Sequence, residues 1–146
     1  MSMVANPNDF PQAFADTVGH LFADGCVDLF ESNRLPPLPA LCLDYKGVRV
    51  VEQDTGGVTH LWRWRVSLYV NVPDGDRRGA LTQIWEMSPP LLAAVLDHRD
   101  LGLDGIDWAE LEDDMSPAAF DDVQKWAVKT FTLGVRAYRP DESWGV

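Results

Sequence analysis

Histidine, cysteine and lysine are all scarce in this chain of 146 residues, and each shortage closes off a class of chemistry. The three histidines, His20, His60 and His98, stand about 40 residues apart with no HxH or HExxH pair. Metal sites usually show at least one close ligand pair, so no metal is expected. The two cysteines, Cys26 and Cys42, lie in apolar stretches without CxxC spacing and read as buried free thiols; no disulfide is signalled. Lysine occurs only at 46, 125 and 129, and Lys+Arg total 12 against 23 Asp+Glu, a net charge of −11. A chain this acidic lacks the basic footprint needed to grip phosphates, which argues against duplex DNA as a held ligand. Long apolar runs are missing too, since no window approaches the roughly 18 residues of a spanning helix. The N-terminal Met-Ser-Met-Val-Ala-Asn-Pro-Asn has no charged leader region, so a secretory signal is not expected. GxSxG, P-loop and GxGxxG patterns do not occur. No enzyme activity, catalytic residue or cofactor is therefore assigned.

What is present is a long alternation. From Thr59 to Val72, Trp62, Trp64, Val66, Leu68, Val70 and Val72 fall on one side of an extended strand, and Leu61, Arg63, Arg65, Ser67, Tyr69 and Asn71 on the other. Successive strand side chains point to opposite faces, so one side suits a core and the other water or a partner. With 46% hydrophobic and 24% charged residues the composition is that of a globular protein, and the length suits a single domain, 1–146.

Around that strand the pattern predicts an order of elements. Residues 1–8 read as a flexible arm. Phe10, Phe14, Val18, Leu21, Phe22, Cys26, Leu29 and Phe30 recur at helical spacing, predicting a helix from about Asn8, its N-cap, to Phe30, weakened by Gly19 and Gly25. The proline-rich stretch through Pro39 forces an extended connector. A strand is expected over Ala40–Val51 with a bulge at Lys46-Gly47, then a turn at Asp54–Gly57 into the alternating strand. Pro73–Asp76 ends that strand. A helix from Arg77 buries Ala80, Leu81, Ile84 and Trp85, and Ser88-Pro89-Pro90 marks a break and a fresh helix start, with Leu91, Leu92, Val95 and Leu96 continuing the apolar face. Residues 97–122 read as an acidic irregular connection holding one short helix through Trp108, Leu111 and Met115. A strand over Lys125–Tyr138 and a tail, 140–146, close the chain. The expected fold class is α+β: a small antiparallel sheet of three or four strands in the order helix-strand-strand-helix-strand, with helices packed on one face.

Ten of the side chains in 97–122 are Asp or Glu, against Arg99 alone among arginines and lysines. Asp100, Asp104 and Asp107 give this stretch a calcium-loop look, but Gly102 stands where an EF-hand needs its third-position ligand. The outward Arg63, Arg65 and Tyr69, with Arg77 and Arg78 beyond the turn, suit an interface, because Arg and Tyr combine area with directed hydrogen bonds. Asp104, Asp107, Glu112, Asp113 and Asp114 are the complementary set on a neighbouring copy. The plain alternatives are a solvated sheet face and a solvated acidic connection.

Leu38-Pro39-Ala40-Leu41-Cys42-Leu43 resembles the start of the first strand in tail terminator proteins of long-tailed, lambda-type bacteriophages. The turn, the long strand ending in Tyr-Val-Asn-Val-Pro, the helix with Trp85 and Leu91–Leu96, and the closing strand Thr130–Tyr138 are similar to that family's order, over roughly residues 10–140. The resemblance implies a subunit of a homo-oligomeric, hexameric ring on the tail tube. Such a ring stops tube polymerisation and joins the tube protein to the head–tail connector protein, with DNA passing through it unbound. It implies a place in the virion at the head–tail junction, after synthesis in the host cytoplasm, with no membrane partner. The alternatives are another neck or tail-tube protein, or a cytoplasmic α+β small-molecule-binding module or enzyme.

Overall fold

The structure is a computed structural model that describes residues 5–23, 26–28 and 37–140. Its frame is a hairpin of two long strands, β2 (Ala40–Asp54) and β3 (Gly57–Asn71). The turn between them is closed by Asp54, whose Oδ1 accepts from the Gly56 N–H at 2.8 Å and from the Tyr138 hydroxyl at 3.1 Å. Register shifts in β2 fall at Tyr45/Gly47 and Val50/Glu52. At the first, Gly47 has φ +144°, a conformation that favours glycine, so the expected bulge is there for a steric reason.

The remaining elements attach to this hairpin. The short β1 (Val27–Asp28) runs parallel to the start of β2. Helix α1 spans Phe10–Val18, and α2 spans Arg77–Asp97 with the Asp76 side chain capping its start by accepting from the Gly79 N–H at 2.9 Å. Strand β4 is Ile106–Asp113, β5 is Ala119–Asp121 and β6 is Trp126–Pro140. The sheet order is β1-β2-β3-β6-β4, with β5 also on β6. The last strand thus lies between β3 and β4 and pairs with β3 along its whole length.

Alternation in β3 and β6 decides where the core sits. Trp64, Val66, Leu68 and Val70 pair across to Leu133, Phe131, Lys129 and Ala127, and all of these are buried. Phe10, Phe14 and Val18 of α1 and Ile84, Leu91 and Val95 of α2 complete the same core. Phe10 meets Trp62 and Trp64 edge-on, at centroid distances of 6.2 and 6.0 Å.

Several expectations are overturned. The sheet is not a small antiparallel one of three or four strands with helices dominating one face. It has six strands, it is mixed because β1 is parallel, and the protein is mostly sheet with two α-helices among the described residues. The first helix does not reach Phe30: it ends at Val18, one tight turn follows over Gly19–Leu21, and Cys26 gives its carbonyl to the Leu41 N–H at 2.8 Å. Gly19 lowers helix propensity there, and the edge of β2 offers the backbone other partners. Nor is Asn8 the cap; the Asn6 side chain accepts from the Asn8 N–H in a turn before α1. The expectations on residues 1–4, 24–25, 29–36 and 141–146 lie outside the described residues.

The acidic stretch holds two strands, β4 and β5, in place of the expected short helix, and is irregular over 98–105 and 114–118. A register shift between Ile106 and Trp108 interrupts the alternation, so buried Ile106, Ala109 and Leu111 do not show a strict two-residue period. Met115 is 84% exposed beyond the end of β4. Helix α2 runs through Pro89 and Pro90 without a break. Those prolines cannot donate to the carbonyls of Trp85 and Glu86, and both residues lie on the exposed side of the helix, open to solvent. Trp85, expected inside, is 64% exposed.

Candidate functional site

The side of the sheet away from the core carries the charged residues, and strand order sorts them by sign. On β2 and β3, Lys46, Arg49, Arg63 and Arg65 line one hollow of about 460 Å³ with Leu61 and Thr132. Asp114 also lines this hollow, and Asp44 Oδ2 lies 3.4 Å from Lys46 Nζ and 3.9 Å from Arg65 Nη1. Both contacts are exposed, so water screens them and leaves the stripe cationic. Gly134 of β6 faces Arg63, and Leu61 Cδ1 passes 3.3 Å from where a side chain at 134 would begin, which keeps the floor low.

On the far side of β6, β4 presents Glu110 and Glu112 opposite Gly134 and Thr132. Burial pushes the Glu110 carboxyl above its ordinary range, helped by a hydrogen bond and repulsion from Glu112. Trp108 on the same strand has Arg136 and Arg99 over its ring, at 5.6 and 6.0 Å. A basic stripe and an acidic stripe therefore share one sheet face, with Thr130, Thr132 and Gly134 of β6 between them.

The expected contact residues divide into groups. Arg63 and Arg65 do share a hollow. Tyr69 is half-buried, its ring perpendicular to Trp126 at 5.0 Å, and burial raises its hydroxyl pKa. Arg77 is engaged within its own chain: its guanidinium bonds Asp122 at 2.7 Å and covers the Phe120 ring at 4.7 Å. Arg78 is exposed in the first turn of α2, and Asp104, Asp107 and Glu112 are exposed.

Asp113 and Asp114 are gathered instead around Lys129. The Lys129 Nζ lies 2.6 Å from Asp113 Oδ1 and 3.1 Å from Asp114 Oδ1, and donates to the Ser116 and Thr130 carbonyls at 3.0 Å each. The Ser116 and Thr130 hydroxyls also bond Asp114. Desolvation opposes ionisation of Asp114, but hydrogen bonds from Ser116, Thr130 and Lys129 outweigh it and hold the carboxyl well below the usual range. This cluster fastens the segment between β4 and β5.

Sequence reasoning missed Lys46, Arg49, Glu110 and Lys129. The parity of β2 is the signal for Arg49, which pairs with Leu61 on the outward face. Lys129 gave no such signal, because its apolar stem fits the inward alternation.

Among the described residues no group of His, Cys, Asp or Glu side chains is placed to hold a metal ion. Asp100, first in the calcium-like stretch, accepts from the Gly102 N–H at 2.8 Å, so it shapes a turn. Cys26 and Cys42 are free, and burial pushes the Cys42 thiol up to about 11. No helix among the described residues is long and apolar enough to cross a membrane. A scan against protein-family models finds no match, and a search of curated proteins finds none either.

Proposed function

We propose that the chain is a ring-forming virion subunit of the tail terminator type, which caps the tail tube, ends its polymerisation and joins it to the head connector. The observation that supports this reading is the separation of charge on the open sheet face, cationic along β2 and β3 and anionic along β4. Two unlike patches on one subunit mate head to tail, and a fixed rotation that closes gives a ring. The partners are then further copies of the chain in a ring of six, the tail tube protein and the head–tail connector protein. A net charge of −11 suits a channel through which DNA slides without being held. The site of action is the head–tail junction of the virion, reached after synthesis in the host cytoplasm. No catalytic step is assigned.

Electron microscopy of the protein mixed with tail tubes tests the reading. Discs on one end of tubes whose growth has stopped are the expected result, and bare tube ends throughout overturn it. The hollow lined by Lys46, Arg49, Arg63 and Arg65 favours one second reading, a binding module for a small anion. Calorimetric titration of the protein with small di- and tricarboxylates or phosphates separates the two, since a ring subunit has no need to bind them.

A further inference from the structure

Two edges of this sheet are unfinished in complementary ways. Past the pairing of β1 with Leu41 and Cys42, the outer edge of β2 has no strand beside it among the described residues. That free part carries Tyr45, Val48 and Val50 on the core side of the sheet, opposite Trp64, Trp62 and His60 in register. They are 53%, 44% and 54% exposed, unlike Leu41 and Leu43 earlier in the same strand, which are buried. Arg49, between the two valines, points to the other face. An exposed edge strand with an apolar row is a template for pairing with another chain.

The opposite edge is β4. At Ala109 this edge is already closed, its outward N–H donating to the Arg99 carbonyl at 2.6 Å, so the open part begins at Leu111. Backbone groups alternate in direction along a strand, so those of Leu111 point to the same outer side. Beside this edge a mainly apolar groove of about 370 Å³ runs between β4 and α2, lined by Pro89, Leu92, Leu96 and Leu111 and also by Arg99 and Glu110. Leu96 is 59% exposed, and Trp85, Pro89, Leu92 and Leu96 form a second apolar row on α2 at helical spacing. Glu110 and Glu112 project from β4 on the other face.

We infer that the free part of β2 in one copy adds as a strand to β4 of the next, so that the sheet continues from subunit to subunit. The strand order β2-β3-β6-β4 makes this addition antiparallel with the core sides aligned. Val48 and Val50 then enter the groove beside Leu92 and Leu96. Arg49 lands beside Glu110 and Glu112, at a strand spacing of about 4.8 Å. The basic β3 arginines follow one strand behind. The added strand comes from a second copy because both halves of the match, apolar rows on one face and opposite charges on the other, are on this chain. The contact is heterologous, so it propagates rather than stopping at a pair, and it gives a ring when the rotation between copies closes. It rests on the reading of the chain as a ring subunit and names how the copies join.

Charge exchange tests it in solution. Sedimentation of the wild type should show concentration-dependent assembly. Arg49→Glu alone, and Glu110→Arg with Glu112→Arg alone, should each self-associate about a hundredfold more weakly, because like charges then face each other. Each variant should keep the circular dichroism and thermal transition of the wild type. Mixing the two variants should restore assembly, since each bears what the other lost. A wild type that stays monomeric at every concentration overturns the inference, and so do variants that assemble normally or a mixture that does not recover. The tube-capping experiment fails or succeeds separately. Caps formed equally by wild type and variants leave the ring reading standing with another contact, whereas rescue by mixing without caps leaves this contact standing and removes the terminator role.

Discussion

Lys129 carries an ammonium group to the margin of an apolar core, and four oxygens within 3.1 Å make that tolerable. Folding favours the charged form on both sides of the cluster. Desolvation works against Lys129, but hydrogen bonds from its amine to Asp113 and Asp114 raise its pKa, while Asp114 is lowered. Stability from Asp114 is therefore complete above the ordinary aspartate value of about 3.9 and is lost as pH falls through the lower folded value. Stability from Lys129 is complete below the ordinary lysine value of about 10.4 and is lost as pH rises through the higher folded one. Replacing Lys129 by Met should cost about 1–3 kcal/mol at pH 7, a range reduced for screening at the partly exposed carboxylates. It should also flatten the fall in stability below pH 4, read from urea titrations at pH 7 and pH 3. An unchanged acid slope would remove the cluster from the account. Trp64 is the other residue to test: it is 5% exposed between Phe10 and the hairpin, so Trp64→Ala should cost about 3–5 kcal/mol. Trp62, only half-buried, should cost less in the same denaturation experiment.

Among elements, the β2–β3 hairpin is held by its turn against β6. A side chain at Gly57 would meet the Arg139 carbonyl, the Tyr138 hydroxyl at 2.7 Å and Pro140 Cα at 2.8 Å. Two of those are backbone, so the strands must part. Gly57→Ala should lower stability by about 1–3 kcal/mol and speed amide exchange at the β3–β6 end; exchange rates like the wild type's would show that this end of the sheet gives freely. The strands β3 and β6 were legible from the sequence because two-residue alternation persists along each, and β2 was legible despite its two register shifts because a proline-rich stretch and a turn bound it. Strand β4 was not, since one irregular residue near Asp107 shifts its period. Helix α2 was read as broken because a proline pair ordinarily ends a helix, yet the residues whose carbonyls it strands lie on the exposed side. The helix after Gly19 failed for the reverse reason, because backbone pairing with β2 outweighed an apolar spacing that favoured helix.

For the whole molecule, charge is the property that matters most to the proposed role. An acid excess spread over the surface would keep copies apart; in the proposed contact Glu110 and Glu112 of β4 instead face the basic residues of the next copy's hairpin. Reversing Arg63→Glu and Arg65→Glu together should weaken assembly, seen as a shift toward monomer in sedimentation, while the tryptophan fluorescence of the fold stays unchanged. Assembly at wild-type strength would take both arginines out of the contact. Raising salt should weaken assembly of the wild type, because the opposed stripes are exposed.

The chain by itself determined the inward and outward faces of its two longest central strands, because strand geometry is local and the side-chain period carries the information. It also determined where the hairpin turns and that acid is concentrated in one stretch. Only tertiary structure decided that the final strand enters the middle of the sheet, that Ile106–Asp113 of the acidic stretch becomes an edge strand and that Lys129 gathers Asp113 and Asp114. Those depend on which segments meet across more than a dozen residues of chain, a matter of global packing that no local period records.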